Sequence, residues 1–123
     1  DGLIAVSSPQ DVAALIVRKA INMTRLMHKR VIGLVENMSY ITCPHCGEAV
    51  YPFGRPSGEE QAAGLGIPFI GEIPIDPELS AMADRGEVEL YEHPIMESLA
   101  DVVLRAAKGS GAEPAAEANP ENR

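Results

Sequence analysis

Tryptophan is missing from this chain, and three tyrosines and two phenylalanines are the whole aromatic complement of its 123 residues. The core expected is therefore one of Val, Ile, Leu, Ala and Met, in a single domain able to bury roughly two-thirds of its unfolded surface. No apolar run approaches the ~20 residues of a membrane span, and no basic stretch leading into an apolar segment opens the sequence. Cysteine is equally scarce: both copies fall within Cys43-Pro44-His45-Cys46-Gly47. The expectation is a cytoplasmic protein with no membrane partner, where Cys-X-X-Cys means metal or redox work rather than a structural staple. Basic residues are few and segregated. Residues 1–30 hold Arg18, Lys19, Arg25, Lys29 and Arg30 against Asp1 and Asp11, whereas residues 31–101 hold thirteen acids against Arg55 and Arg85 alone. An acidic block of that kind argues against nucleic-acid binding and reads as a solvated surface.

What is present alternates between strand and helix patterns. Gly2-Leu3-Ile4-Ala5-Val6-Ser7 reads as a buried strand. Ser8 is expected to cap a helix whose first position is Pro9, with Asp11 in its first turn. Val12, Leu15, Ile16, Ala20, Met23 and Met27 recur near a period of 3.6 and are expected to form its apolar stripe. Val31-Ile32-Gly33-Leu34-Val35 is a second strand, which completes a βαβ unit with a right-handed crossover. A cysteine loop over residues 40–53 follows, then a short helix from Gly58 to Leu65 ending at Gly66. Residues 68–74 read as a third strand. A helix from Pro77 to Arg85 is closed by Gly86, and a last helix starts at His93-Pro94 with Ile95, Leu99, Val102, Val103 and Ala106 as its stripe. Residues 109–123, rich in Gly, Ser, Ala, Pro, Glu and Asn, are expected to be disordered. Three parallel strands are few for a sheet covered on both faces, so this looks like part of a larger α/β fold.

The cysteine motif carries the chemistry. Two thiols two residues apart grip one metal from one side, and the Pro and Gly shape a turn whose N–H groups are free to point at the sulfurs. A tetrahedral thiolate site needs four ligands, and the chain offers two. Completion by a second copy, completion by His45 with a non-Cys ligand, and dithiol redox chemistry all remain open at this point. Cys-Pro-x-Cys-Gly is also the knuckle of zinc ribbons, so a Cys₄ zinc site across a two-fold axis is a further possibility. His45 reads as a solvated turn residue, and His28 and His93, at helix boundaries, read as structural. Asn37 stands just past a strand, where open α/β sheets bind ligands, and its amide suits the N6/N7 edge of adenine. It equally suits an Asx-turn. Asp76-Pro77-Glu78 is an ordinary helix N-terminus.

Several ordered stretches resemble the C-terminal half of the Mrp/ApbC family of P-loop iron–sulfur cluster carrier ATPases, relatives of the MinD/ParA group. They are Ser8-Pro9-Gln10-Asp11-Val12-Ala13, Val17-Arg18-Lys19-Ala20-Ile21-Asn22-Met23, Val35-Glu36-Asn37-Met38-Ser39, the cysteine motif, Phe53-Gly54, and the run from Gly64 to Pro77. The resemblance covers residues 1–107. It implies the C-terminal half of a doubly wound, mostly parallel sheet with flanking helices, occupying residues 1–108. It implies a [4Fe–4S] cluster bridging a homodimer through Cys43 and Cys46 of each copy, and apo iron–sulfur proteins as recipients. It implies Asn37 against the adenine, with Pro74, Ile75 and Asp76 along the other side of the base. ATP and Mg²⁺ belong to the full-length family member. A zinc-binding dimeric interaction module and a cluster-free MinD/ParA-like switch are the alternative readings.

Two departures qualify the resemblance. No G-x-x-x-x-G-K-[ST] stretch is present, and Asp1-Gly2 precedes a strand that matches a later part of the family domain, so it does not stand for the Mg²⁺ carboxylate. The expectation is a segment that does not hydrolyse ATP alone. Arg55-Pro56-Ser57-Gly58 stands where the family shows a run of glycines, which stiffens the far end of the cysteine loop.

Overall fold

The computed structural model describes residues 2–109. The tail expected to be disordered lies, past Gly109, outside the described residues. Ten elements follow in order: β1 (Gly2–Ser7), α1 (Asp11–Leu26), β2 (Arg30–Glu36), β3 (Ile41–Thr42), β4 (Ala49–Val50), α2 (Gly58–Leu65), β5 (Phe69–Glu72), α3 (Pro77–Arg85), a 3₁₀ turn (Val88–Leu90) and α4 (Pro94–Lys108). β1, β2 and β5 form a parallel sheet in that order, with β2 central. The register runs from Gly2 opposite Arg30 to Ser7 opposite Glu36, and Leu34 and Glu36 stand opposite Phe69 and Glu72. Both connections between parallel neighbours pass through helices, as parallel pairing requires.

The central strand explains the layering. Leu34 and Glu36 face one side of β2 and Val35 the other, because side chains alternate along a strand. On the first side Ala5, Val17, Ile21, Leu34 and Ala62 form the buried core, with Val31, Leu65, Ile67 and Phe69 packed against it. This side is covered by α1 and α2. Opposite it, α4 lies across β5 and β2, with Ile95 against Gly71. Two arginines tie down helix ends, one from a neighbouring helix and one from the sheet. Arg25 of α1 donates to the carbonyl of Leu65 at the end of α2, and Arg30 of β2 donates to those of Ala106 and Gly109 at the end of α4. The Leu65 and Ala106 carbonyls are among the last four of their helices, which have no intrahelical partner, and Gly109 is the residue that caps α4.

Several expectations need correction. α1 begins at Asp11, with Gln10 at the capping position and no side-chain cap, so Ser8 and Pro9 belong to the preceding turn. The stripe expected on α1 is not its buried face. Val17 and Ile21 are buried, whereas Val12, Leu15, Ile16, Met23 and Met27 are each more than half exposed. α1 is apolar around most of its circumference, and a 3.6 period cannot say which arc meets the sheet. On α4, Ile95, Leu99, Val102 and Ala106 are half-buried as expected, but Val103 is exposed. The third strand is shorter than expected, spanning Phe69–Glu72. The cysteine loop contains an antiparallel hairpin of β3 and β4 that was expected only as loop. No helix among the described residues is long and apolar enough to cross a membrane.

Candidate metal and nucleotide-facing site

The hairpin is built around the cysteines. Ile41 pairs with Val50 and Thr42 with Ala49. The next rung is closed by the Cys43 N–H donating to the Glu48 carbonyl at 2.8 Å, and the Gly47 N–H returns to the Cys43 carbonyl at 2.9 Å. Gly47 has φ of 75°, the left-handed conformation a side chain disfavours, and it lets the chain reverse immediately after Cys46. At the base of the hairpin Tyr40 and Tyr51 pack with ring centroids 6.3 Å apart, a cross-strand aromatic pair one rung below Ile41–Val50.

Cys43 is half-buried, Cys46 is exposed, and both are free thiols. The neighbouring backbone N–H groups of Cys46 and then His45, followed by the Cys46 thiol, favour the charged form of Cys43. Together they hold the Cys43 thiol below its ordinary range, because each favours the thiolate. The same donors suit a sulfur carrying negative charge in a metal or cluster. Among the described residues no group of three or more His, Cys, Asp or Glu side chains could hold a metal ion. His45 is exposed in the turn and adds no such group.

The second part of the site lies at the C-terminal edge of the sheet. Beyond β2 and β5 the two chain segments stay side by side. The Ile73 N–H donates to the Glu36 carbonyl at 2.8 Å, the Ser39 N–H to the Ile73 carbonyl at 3.1 Å, and the Ile75 N–H to the Tyr40 carbonyl at 2.7 Å. Asn37 and residues 74–76 are thereby brought to one edge, from which the cysteine hairpin also departs. Asn37 donates its N–H to the Ser7 carbonyl at 2.7 Å, and its side-chain Oδ1 accepts from the Met38 N–H at 2.8 Å. Pro74 is buried and Ile75 half-buried. Asp76 caps α3, accepting from the Glu78 N–H at 2.9 Å, and also accepts from the Tyr91 hydroxyl at 2.6 Å.

Three further groups here were not singled out as site residues from the sequence. Glu36 is fully buried, and its carboxylate accepts from the N–H groups of Ser57 and Gly58. Ser39, also fully buried, donates its hydroxyl to Glu72 at 2.9 Å. Tyr91 is buried and stacks on His93, whose Nδ1 accepts from the Ile95 N–H at the start of α4. His93 is thus a helix cap, and His28 sits at φ of 55° just past α1.

Comparison with known proteins is consistent across sequence and structure. A ParA family model described as the NUBPL iron-transfer P-loop NTPase matches residues 1–108. The human cytosolic Fe-S cluster assembly factor NUBP2 is 40% identical over 114 residues, covering 93% of this chain and 42% of that protein. An iron-sulfur cluster carrier protein of Saccharolobus solfataricus is 37% identical over 93 residues, covering 76% of this chain and 31% of its own length. A nucleotide-binding protein from Archaeoglobus fulgidus, solved in complex with ADP and with cobalt found in it, superposes with a TM-score of 0.67 at 46% identity. That match covers 76% of this chain and 40% of the other. The chain spans less than half the length of these relatives.

Proposed function

The chain belongs to the ParA family of NUBPL-type iron-transfer P-loop NTPases, and we propose that it forms the cargo-holding and base-facing part of a cytoplasmic iron–sulfur cluster carrier. In this reading Cys43 and Cys46 hold one side of a [4Fe–4S] cluster, and a second copy supplies the other two thiolates. The cluster is cargo, passed on to apo iron–sulfur proteins. The carrying observation is the half-site itself: two free thiols at the tip of one hairpin, three residues apart, with no third ligand gathered among the described residues. Four thiolates from two copies match the ligand requirement of a cubane.

Each group has a distinct part. The hairpin carries Cys43 and Cys46 between its two strands, and the neighbouring N–H groups favour the anionic sulfur. Exposure of Cys46 leaves the pair open to a partner copy and to a recipient. Asn37 and the backbone of Pro74, Ile75 and Asp76 line the sheet edge where an adenine would lie, and the Asn37 amide nitrogen is the donor suited to its ring edge. Among these residues nothing cradles phosphates, so no hydrolytic step is assigned to them.

Anaerobic reconstitution of the chain with iron and sulfide tests the reading. The expected result is broad visible absorbance, with about two irons per chain for one cubane per pair of copies. Both should be lost in Cys43→Ser and Cys46→Ser. Zinc at about half an equivalent per chain with no cluster uptake would instead assign a structural Cys₄ site.

A further inference from the structure

We propose that Glu36 is the positioning residue of the cysteine loop, clamping the two ends of that loop to each other and to the base-facing strand. The proposal rests on the reading that Cys43 and Cys46 hold the cargo. Glu36 is the last residue of β2 and is fully buried. Its two carboxylate oxygens point in the same direction as Leu34, towards the start of α2. Oε2 accepts from the Gly58 N–H at 2.6 Å and Oε1 from the Ser57 N–H at 3.3 Å. Its own carbonyl accepts from the Ile73 N–H at 2.8 Å. The chain leaves the sheet at Asn37, carries both thiols through the hairpin, and returns at Ser57. One side chain therefore closes the base of the whole excursion.

Two further observations separate this from ordinary helix capping. Ser57 occupies the capping position of α2, yet its hydroxyl makes no cap; it accepts from Gln61 Nε2 at 2.7 Å instead. A local serine cap would satisfy the helix without burying a carboxyl group, which is costly unless fully hydrogen-bonded. Here the cap comes from a residue 21 positions earlier in the chain. Gly58 is shaped to the same contact. A Cβ at that position would strike Glu36 Oε2 and lie 2.7 Å from Phe69 Cε2 and 2.9 Å from Glu36 Cβ. Glycine is what allows the backbone N–H to reach the carboxylate. Because the same residue also binds Ile73, displacement of residues 73–76 by a bound base would be transmitted to the root of the cysteine loop.

The experiment measures loop position and cargo retention separately. Spin labels at Cys46 and at Asp101→Cys on α4, in a Cys43→Ser background, give the distance distribution between hairpin and sheet layer. Glu36→Ala and Gly58→Ala should broaden it clearly, and Glu36→Gln, which keeps one acceptor, should fall between. In the two-cysteine chain, Glu36→Ala should speed chelator-driven cluster loss about tenfold or more, the size expected for losing hydrogen bonds to a charged group. Ile21→Val, a conservative core change that leaves the Glu36 hydrogen bonds in place, should alter neither readout. If Glu36→Ala does not fold, Glu36→Gln and Gly58→Ala decide. An unchanged distance distribution overturns the proposal, as does broadening with unaltered cluster loss, or cluster loss matched by Ile21→Val. If the parent chain takes up no cluster, the carrier reading fails, and the label distances still decide whether Glu36 sets the position of the loop.

Discussion

Tyr91 donates its hydroxyl to Asp76 Oδ2 at 2.6 Å, joining the segment ahead of α4 to the cap of α3. The bond moves both groups. The Tyr91 hydroxyl first and the Glu78 N–H second hold the Asp76 carboxyl below the usual carboxylate range. Burial, and then the bond to Asp76, push Tyr91 up to about 12.

The pH dependence follows with opposite signs at the two ends. A depressed carboxyl contributes stability above its unfolded pKa, about 3.9, and loses it as pH falls through the lower folded value. A raised phenol contributes fully below about pH 10, where the unfolded tyrosine ionises, and loses it as pH climbs towards 12. Tyr91→Phe should therefore cost about 1 kcal/mol at pH 7, since Asp76 is only half-buried. In thermal melts the gap between parent and variant should narrow below pH 4 and above pH 10. A gap constant across that range would contradict the assignment.

Metal-free Cys43 should be alkylated with a pH midpoint below the ordinary thiol value of about 8.5. Cys46→Ala should raise that midpoint, because it removes the Cys46 thiol's hydrogen bond while the N–H groups of residues 45 and 46 remain. Rates of iodoacetamide labelling against pH, read by mass spectrometry under reducing conditions, give both numbers. A rise all the way to the ordinary value would mean that the backbone donors contribute nothing.

Met38 has φ of 56° and is followed by fully buried Ser39. A β-branched residue fits the left-handed region worst, so Met38→Val should destabilise by about 1–2 kcal/mol. Met38→Gly should be close to neutral, the relief of strain offsetting the greater freedom of the unfolded chain. Chemical denaturation of the two variants checks the order.

The two sides of α1 should respond differently to substitution. Ile21 is fully buried, and Ile21→Ala should cost about 2–5 kcal/mol. Ile16 is 62% exposed, and Ile16→Lys should change stability by no more than about 0.5 kcal/mol. The latter should also lower binding of an apolar dye, because Ile16 shares its exposed face with Val12 and Met23. Equal destabilisation by both variants would contradict the orientation of α1.

What the sequence disclosed was mostly local. Gly66 and Gly86 announce the ends of α2 and α3, and both close their helices in the left-handed conformation. His93-Pro94 marks the start of α4, and Pro77 opens α3 with Asp76 as its cap. The parallel β1–β2 pair follows from two apolar runs separated by a helix. Local chemistry also misled: Ser8-Pro9 carries the signature of a helix start, but α1 begins only at Asp11. The choice of buried arc on α1 was illegible because the sheet, not the helix, decides it. Glu36 was illegible for a related reason. An acid after an apolar run resembles the solvated end of a strand, and its partners at Ser57 and Gly58 are distant in sequence. At the candidate site, the cysteine spacing and Asn37 could be picked out by residue type, but the hairpin joining the thiols rests on two rungs too short to leave a period.

That short ladder has a mechanical consequence. The β3–β4 rungs, the Cys43–Glu48 bond and the Gly47–Cys43 bond tie the two arms of the hairpin together around both thiols. The two cysteines of one copy are therefore carried on one short unit. If two copies share the cargo as proposed, the quantity left to adjust is the distance between the two hairpins, with Glu36 holding the root of each.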